Sequence, residues 1–204
     1  MSVELTGVTF RRPGEFGDFR WMIERPEHSD ALFIFNDNKE QFLAFRSDPR
    51  PPWACTEGGG NAVIRPCQCE DPPRAAGIPT GSAGRGFQGI DEHFTELIDR
   101  AIADIRELVG TGNYEKVFYS ADDKGYIGTG IFDVGPENKV YITKSLLLAT
   151  APETERLTNP EISRKAARLA SFVSMGIRMN DFGGPVEMEA SWLDLDPEEL
   201  ERYD

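Results

Sequence analysis

Apolar and polar positions in the first part of the chain predict strands more often than helices. Alternating apolar residues within 3–8 and 19–23, separated by Pro and Gly turn residues, predict an N-terminal β-hairpin. The unbroken apolar run 31–35 predicts a strand that is covered on both faces. The polar residues after this run suit a helix N-cap, so residues 39–45 are expected to form a short helix.

The clearest helical pattern in the sequence follows later. Apolar residues recur at three- and four-residue steps over 94–109, with Asp91 as the N-cap and Gly110 as the terminating residue. A strand is expected over 117–119, and Pro136 opens another helix. Strands and helices alternate after residue 30, which predicts an α/β fold. We expect a mixed sheet flanked by helices, with the N-terminal β-hairpin and a C-terminal helical extension.

Residues 47–89 differ in composition from the rest of the chain. This segment contains seven prolines, and eight of the 20 glycines lie between Gly58 and Gly89. Such a long irregular stretch in one domain is typical of a functional insertion. We therefore expect an α/β core domain over 1–150 that carries this loop insertion. A helical extension over 151–204 would end in an acidic tail.

Charge and length narrow the possible functions. The chain has 204 residues and a net charge of −13, which disfavours binding to nucleic-acid phosphates or anionic lipids, because both require clustered Lys and Arg. No apolar run approaches the roughly 18 residues of a membrane span, and residues 1–10 lack the layout of a secretory signal. We expect a cytoplasmic protein, in the host cytoplasm if it is viral, with no nucleic-acid or membrane partner.

The three cysteines, Cys55, Cys67 and Cys69, are predicted to be reduced thiols, because the chain shows no export signal. A closed zinc site needs four ligands, commonly as two closely spaced pairs. These cysteines offer one close pair and a single residue, and His28 and His93 are distant in sequence. The sequence therefore predicts no metal site, and it predicts no cofactor.

Three glycine-rich stretches can expose backbone N–H groups to an anion such as a phosphate: GGGNA over 58–62, GIPTG over 77–81 and GTGIF over 128–132. None contains the Gly-Lys-Ser or Gly-Lys-Thr of a P-loop, and none is a GxGxxG motif between a strand and a helix, which excludes classical ATPase and dehydrogenase sites. Arg65, Arg74 and Arg85 lie beside two of these stretches and can make forked contacts to a pyrophosphate.

The order of these motifs resembles the macro domain, the ADP-ribose-binding fold. The similarity consists of DALFIFNDN, GGGNA, a long helix and a strand leading to GTGIF, and it covers roughly residues 30–150. The GGGNAVIRP and GIPTG segments are also similar to segments of uncharacterised bacterial and phage proteins.

The resemblance implies a role for each motif. Asp30 would lie near the adenine, Asn36 or Asn38 near the distal ribose, residues 58–61 under that ribose, and residues 128–132 around the pyrophosphate. Together with the other glycine stretch, the expected ligand-binding residues are Asp30, Asn36, Asn38, Gly58, Gly59, Gly60, Asn61, Arg65, Gly77, Thr80, Gly81, Gly128, Thr129, Gly130, Ile131 and Phe132.

The resemblance implies that the protein binds ADP-ribose or another phosphorylated nucleotide. A compact acidic protein with several glycine loops can also sequester a nucleotide signal, as phage anti-defence proteins do. One alternative is an ADP-ribosyl ester or glycoside hydrolase, with Asp37 as the nearest catalytic base. A second alternative is a non-enzymatic interaction protein or virion-associated protein. The sequence leaves open whether the protein is an enzyme and whether it forms a homo-oligomer.

Overall fold

The computed structural model describes residues 3–128 and 132–151, in which helices cover a five-stranded sheet. The strands are β1 (Glu4–Val8), β2 (Ala31–Asn38), β3 (Ala75–Ser82), β4 (Arg85–Gly86) and β5 (Lys116–Ser120). The α-helices are α1 (Phe19–Ile23), α2 (Lys39–Phe45), α3 (Glu92–Gly110) and α4 (Pro136–Thr150). Short 3₁₀ helices lie at Pro26–His28 and Pro52–Cys55, and a ten-residue 3₁₀ segment lies at Gly60–Cys69.

The strands form one mixed sheet in the order β1-β5-β2-β3-β4. The first four of these run parallel, and β4 pairs antiparallel with β3. The expected α/β class and mixed sheet are therefore confirmed. Because the parallel strands share one direction, they end at the same edge of the sheet, at Val8, Ser120, Asn38 and Ser82. We call this the carboxyl edge.

Alternate strand residues contribute to two hydrophobic clusters on opposite faces of the sheet. On the helical face, which α2, α3 and α4 cover, Ile34 of β2 belongs to the same cluster as Ile98 of α3. On the 3₁₀ face, which α1 and the 3₁₀ segment cover, Phe33 of β2 clusters with Phe19 and Ile64. The two faces are thus covered by different kinds of structure.

The expected N-terminal β-hairpin is wrong. After β1 the chain enters turns and then α1, whose N-cap Asp18 accepts a hydrogen bond from the N–H of Arg20. The buried residues of α1 are Phe19, Met22 and Ile23, which have the three- and four-residue spacing of a helix. The alternation of Phe19, Trp21 and Ile23 suggested a strand, but Met22 gives the same segment a helical spacing, and β1 pairs instead with the distant β5.

The prediction that residues 47–89 are mostly irregular is wrong over 75–82. That stretch is β3, which pairs in parallel with β2 along its length. Its sequence AAGIPTGS contains few β-branched residues and includes Pro79, so its composition resembles a loop. Its small side chains allow the large residues of β2 to pack closely against it.

Other predicted elements are confirmed. The strand at 31–35 is the start of β2, the helix at 39–45 is α2, and the amphipathic helix is α3 with Asp91 as its N-cap. Pro136 opens α4 as predicted. The predicted C-terminal helical extension and acidic tail lie outside the described residues, so the division of the chain near residue 150 stays a prediction.

Candidate functional site

At the carboxyl edge, the connections from neighbouring strands leave in opposite directions. The chain leaves β1 toward α1 on the 3₁₀ face, whereas it leaves the adjacent β5 toward α4 on the helical face. In open α/β sheets, ligands bind in the crevice beside such a reversal. The turn after β1, the end of β5 and the glycine loop, residues 58–61, meet at this place.

The glycine loop is a tight turn that leads into the 3₁₀ segment. The N–H of Gly58 donates to the carbonyl oxygen of Ala62 at 3.0 Å, and the N–H of Ala62 donates to the carbonyl oxygen of Gly59 at 3.2 Å. Gly60 has a φ of +55°, a conformation that glycine adopts without steric cost. Gly59 and Gly60 are exposed, and among the described residues their N–H groups have no hydrogen-bond acceptor. The loop therefore presents two adjacent backbone donors to solvent.

Asn61 fixes this loop to two other segments of the carboxyl edge. Its Oδ1 accepts a hydrogen bond from the N–H of Phe19 at 3.0 Å, and its Nδ2 donates to the carbonyl oxygen of Gly17 and to Oγ of Ser120, both at 3.1 Å. Only 7% of Asn61 is exposed. Because its amide bonds inside the protein, Asn61 positions the loop and does not itself face a ligand.

Arg65 forms a second anchor beneath the loop. It donates from Nε and Nη2 to Oδ1 of Asp37, at 3.1 and 2.6 Å, and from Nη1 to the carbonyl oxygen of Thr56 at 2.9 Å. The Arg65 and Asp37 side chains are 5% and 1% exposed. A Cβ atom on Gly58 would lie 2.7 Å from Nη2 of Arg65, so the guanidinium packs directly against the loop backbone. Glycine at position 58 permits this contact.

Burial determines the pKa of the Asp37 carboxyl and its access to solvent. Removal from water raises the pKa of the Asp37 carboxyl above its ordinary value, and the Arg65 guanidinium offsets this rise only in part. Oδ2 of Asp37 is buried and has no hydrogen-bond partner among the described residues. A carboxylate this far from solvent cannot take a proton from a substrate water, so its placement does not support Asp37 as the catalytic base. Its contacts join β2 to the 3₁₀ segment.

The GIPTG stretch lies in β3, which corrects the expectation of a loop there, while a ligand-binding role of Gly77, Thr80 and Gly81 stays a prediction. A Cβ atom on Gly77 would lie 2.8 Å from Oδ2 of Asp37, so Gly77 makes room for that carboxylate. Thr80 is buried, with its hydroxyl 3.4 Å from the carbonyl oxygen of Asp37. A Cβ atom on Gly81 would lie 2.7 Å from the ring of Phe132. These residues contact protein neighbours.

The two asparagines at the end of β2 differ in what the structure shows of their contacts. Asn38 is the N-cap of α2, and its Oδ1 accepts a hydrogen bond from the N–H of Gln41 at 2.7 Å. Asn36 is half-buried and, by strand alternation, lies on the opposite face from Asp37. Both residues are at the carboxyl edge, and Asn38 has a structural role there.

The GTGIF stretch is described only at its ends. Gly128 is buried with a φ of +115°, and a Cβ atom there would lie 3.3 Å from the Lys139 side chain. The Lys139 ammonium lies 2.9 Å from Oδ2 of Asp122, in the turn after β5. Phe132 contacts β3 at Gly81. The expected ligand contacts of Thr129, Gly130 and Ile131 lie outside the described residues.

Two expected site residues lie at the opposite edge of the sheet. Asp30 immediately precedes β2, and its carboxylate is 3.4 Å from the ammonium of Lys116 at the start of β5. The eight residues of β2 span about 26 Å, which separates Asp30 from the glycine loop. Arg74 precedes β3 and donates to the carbonyl oxygens of Ile23 and His28 at 2.8 and 2.9 Å. Neither residue belongs to the carboxyl-edge site.

The turn after β1 carries two exposed aromatic residues that the sequence pattern did not indicate. Phe10 and Phe16 are 38% and 54% exposed, which is high for phenylalanine. A Cβ atom on Gly17 would lie 2.2 Å from the carbonyl oxygen of Thr9, so the two ends of the turn touch. The hydrogen bond from Asn61 to Gly17 joins this turn to the glycine loop.

The prediction of three reduced thiols is wrong for two of them. Cys55 and Cys69 form a disulfide across 14 residues, with their Cα atoms 6.4 Å apart, while Cys67 is free. Burial and the nearby Glu70 raise the pKa of the Cys67 thiol to about 11. The disulfide joins the two ends of the segment that contains the glycine loop and Arg65.

A shallow groove lies on the helical face. It lies between α2 and α3 and is lined by Leu43, His93, Glu96, Leu97 and Arg100. These residues include no expected site residue. The groove therefore shares no residue with the glycine loop or its anchors.

Comparisons with known proteins do not assign a family. No family model, curated protein or solved structure matches the chain. No helix within 3–128 or 132–151 is long and apolar enough to cross a membrane. In the same part of the chain, no group of three or more His, Cys, Asp or Glu side chains is arranged to hold a metal ion. The macro-domain resemblance therefore stays a prediction.

Proposed function

We propose that this protein binds a phosphorylated nucleotide of the ADP-ribose type at the carboxyl edge. In this proposal the N–H groups of Gly59 and Gly60 hold the phosphates. The observation that carries the proposal is that two exposed glycine donors sit on a loop held by two buried polar anchors, Asn61 and the Asp37–Arg65 pair. A loop that is ordered before binding loses little conformational entropy when it takes an anion.

The charges near the glycine loop are paired with one another, so the backbone donors would carry the binding of an anion. The Arg65 guanidinium packs against the loop at Gly58, and all three of its bonded nitrogens point to oxygen acceptors inside the protein. Asp37 balances this charge, so the phosphate would be bound mainly by backbone dipoles.

The neighbouring turn supports a ligand with an aromatic base. Phe10 and Phe16 are partly exposed on the turn that Asn61 joins to the loop. The Phe16 ring packs edge-on against Phe118, with the ring centroids 6.0 Å apart, and 54% of Phe16 stays exposed. An exposed aromatic ring on a segment tied to an anion-binding loop suits a nucleobase and its phosphates, because aromatic rings stack on the faces of bases.

Binding without turnover is preferred over hydrolysis. The residue expected to act as a base, Asp37, is buried and paired with Arg65. A protein that holds a nucleotide without cleaving it would sequester a nucleotide signal and would release the intact ligand on denaturation.

The test is a calorimetric titration of the full chain with ADP-ribose, ADP and adenosine. ADP-ribose and ADP should bind, and adenosine should bind at least about 100-fold more weakly, because it offers no phosphate to the loop. Chromatography of the ligand recovered after denaturation should show intact ADP-ribose. Recovery of ribose phosphate or of another cleavage product would favour the hydrolase.

The variant Gly59→Glu localises any binding. Gly59 has a φ of −81° and a ψ of 154°, which any residue adopts, so the substitution adds a negative charge without backbone strain. Binding should be lost. The matched control Gly110→Glu makes the same change at the end of α3, where a Cβ atom meets open space, and should keep wild-type affinity. Equal affinity in both variants would reject the glycine-loop site.

A further inference from the structure

The glycine loop lies inside a small covalent ring. Cys55 ends the short 3₁₀ helix Pro52–Cys55, and Cys69 ends the 3₁₀ segment, so their disulfide encloses the glycine loop and Arg65. A disulfide limits the conformations open to the enclosed chain. The bond therefore acts on the segment that presents Gly59 and Gly60.

Two hydrogen bonds also join the 3₁₀ segment to the residues on either side of Cys55. Nε2 of Gln68 donates to the carbonyl oxygen of Ala54 at 3.2 Å, and Nη1 of Arg65 donates to that of Thr56 at 2.9 Å. These two acceptors flank Cys55 in the chain. After loss of the disulfide these hydrogen bonds can still form, so the ring would loosen without unfolding the sheet.

The disulfide is accessible, and the third thiol does not compete for it. Cys69 is exposed, so a reductant can reach its sulfur. Cys67 lies two residues away, but its pKa of about 11 keeps it protonated near neutral pH. Because the thiolate is the attacking form, Cys67 is a poor nucleophile for exchange. Cys67 therefore competes weakly with an external reductant for the Cys55–Cys69 bond.

We propose that the Cys55–Cys69 disulfide is a redox switch that controls the order of the glycine loop and, through it, the affinity of the ligand site. The effect on affinity rests on the proposed function, whereas the effect on loop order does not. A dithiol reductant attacks Sγ of Cys69, which breaks the disulfide and releases Cys55 as a thiolate. The second thiol of the reductant then displaces Cys69. Two protons from the dithiol end on the two cysteines, and the reductant leaves as its own disulfide.

Hydrogen exchange followed by mass spectrometry tests the switch on the full chain, with and without dithiothreitol. Reduction should speed amide exchange over residues 56–66 by at least about ten-fold and leave α3 unchanged. The melting temperature should fall by roughly 5–10 °C, as expected for opening a ring of this size. The double variant Cys55→Ser with Cys69→Ser should show the fast exchange without reductant. Cys67→Ser should respond like the wild type.

The redox switch and the proposed function are tested by different results. Equal exchange over 56–66 in both states, or three titratable thiols in the oxidised protein, would overturn the switch. If the exchange changes, ADP-ribose affinity should fall about ten-fold on reduction. Equal affinity in the two states would overturn control of the site. If exchange changes but ADP-ribose binds neither state, the proposed function fails while the switch on the loop stands.

Discussion

The two faces of the sheet are held in different ways. On the helical face, two long helices, α3 and α4, pack an apolar cluster that includes Ile98, Ile105 and Leu146, all fully buried. On the 3₁₀ face, the five-residue α1 and the 3₁₀ segment cover a smaller cluster. There the covering segments also depend on the amide of Asn61, the Asp37–Arg65 pair and a disulfide.

The two faces contribute differently to the stability of the fold and to the position of the glycine loop. Apolar burial is non-directional, so it stabilises the fold without setting the position of any one loop closely. Buried hydrogen bonds and ion pairs are directional and cost free energy when a partner is missing. The polar contacts on the 3₁₀ face therefore fix where the glycine loop lies, while the helical face supplies most of the apolar core.

The largest effect should come from Arg65→Met. The substitution leaves the Asp37 carboxylate buried and unpaired, so the free energy of unfolding should fall by about 3–5 kcal/mol in urea denaturation. Arg20→Met is the matched control, because Arg20 pairs with Glu57 in solvent and should lose less than about 1 kcal/mol. Adding Asp37→Asn to Arg65→Met should restore part of the stability. A loss as small as that of the control would show that the buried pair does not hold this face.

Asn61→Ala tests positioning on the 3₁₀ face. It leaves the N–H of Phe19 and the carbonyl oxygen of Gly17 without their partner, at a cost of about 2–3 kcal/mol. Affinity for ADP-ribose should also fall at least ten-fold, because the loop loses its tie to the carboxyl edge. Ile98→Val on the helical face should cost about 1 kcal/mol and leave the affinity unchanged. If both variants lose affinity equally, the proposed difference between the faces is wrong.

Gly77→Ala should have a smaller effect, of about 1–3 kcal/mol in thermal or urea unfolding. The new Cβ atom would lie 2.8 Å from Oδ2 of Asp37 and 3.2 Å from the ring of Phe35. Gly110→Ala adds the same methyl group where no atom lies within 4 Å, and it should be neutral or slightly stabilising. Equal stability of the two variants would show that β3 does not need glycine at position 77.

The smallest effect concerns pH. Burial raises the pKa of Asp37, so the folded protein takes up a proton at a higher pH than the unfolded chain does. The stability linked to this group is fully present below the ordinary carboxyl pKa of about 4, and it is lost as pH rises through the raised value. Compared with Asp37→Asn, the wild type should therefore gain relative stability as pH is lowered from 7 to 4. A pH series of urea unfolding curves measures this, and a wild-type advantage that grows toward pH 7 would contradict it.

The elements of the helical face were easier to predict from the sequence than the contacts of the 3₁₀ face, for physical reasons. The stripe of α3 and the cap at Asn38 are local patterns, so a single stretch of sequence carries the signal. The anchors of the glycine loop join residues far apart, such as Asn61 with Ser120, 59 positions away. A polar residue in a Gly- and Pro-rich segment resembles a solvated loop residue, and only the fold shows that it is buried.

Some parts of the candidate site could be predicted from local sequence, and others depended on the fold. The glycine loop stood out because glycine density is a local signal, whereas the position of Asp30 depended on which end of β2 faced the loop. The GIPTG stretch was mistaken for a loop because its small residues suit β3 only beside the large side chains of β2. The disulfide was missed because cysteine spacing alone does not show which sulfurs meet.

An NMR titration of the ¹⁵N-labelled chain with ADP-ribose tests the central claim most directly. If the carboxyl edge is the binding site, the amide resonances of Gly59 and Gly60 should shift most, because their N–H groups would donate to the phosphates. Resonances from the groove residues His93 and Arg100 should stay in place. Shifts confined to that groove, or no shifts at millimolar ADP-ribose, would contradict a nucleotide site at the glycine loop.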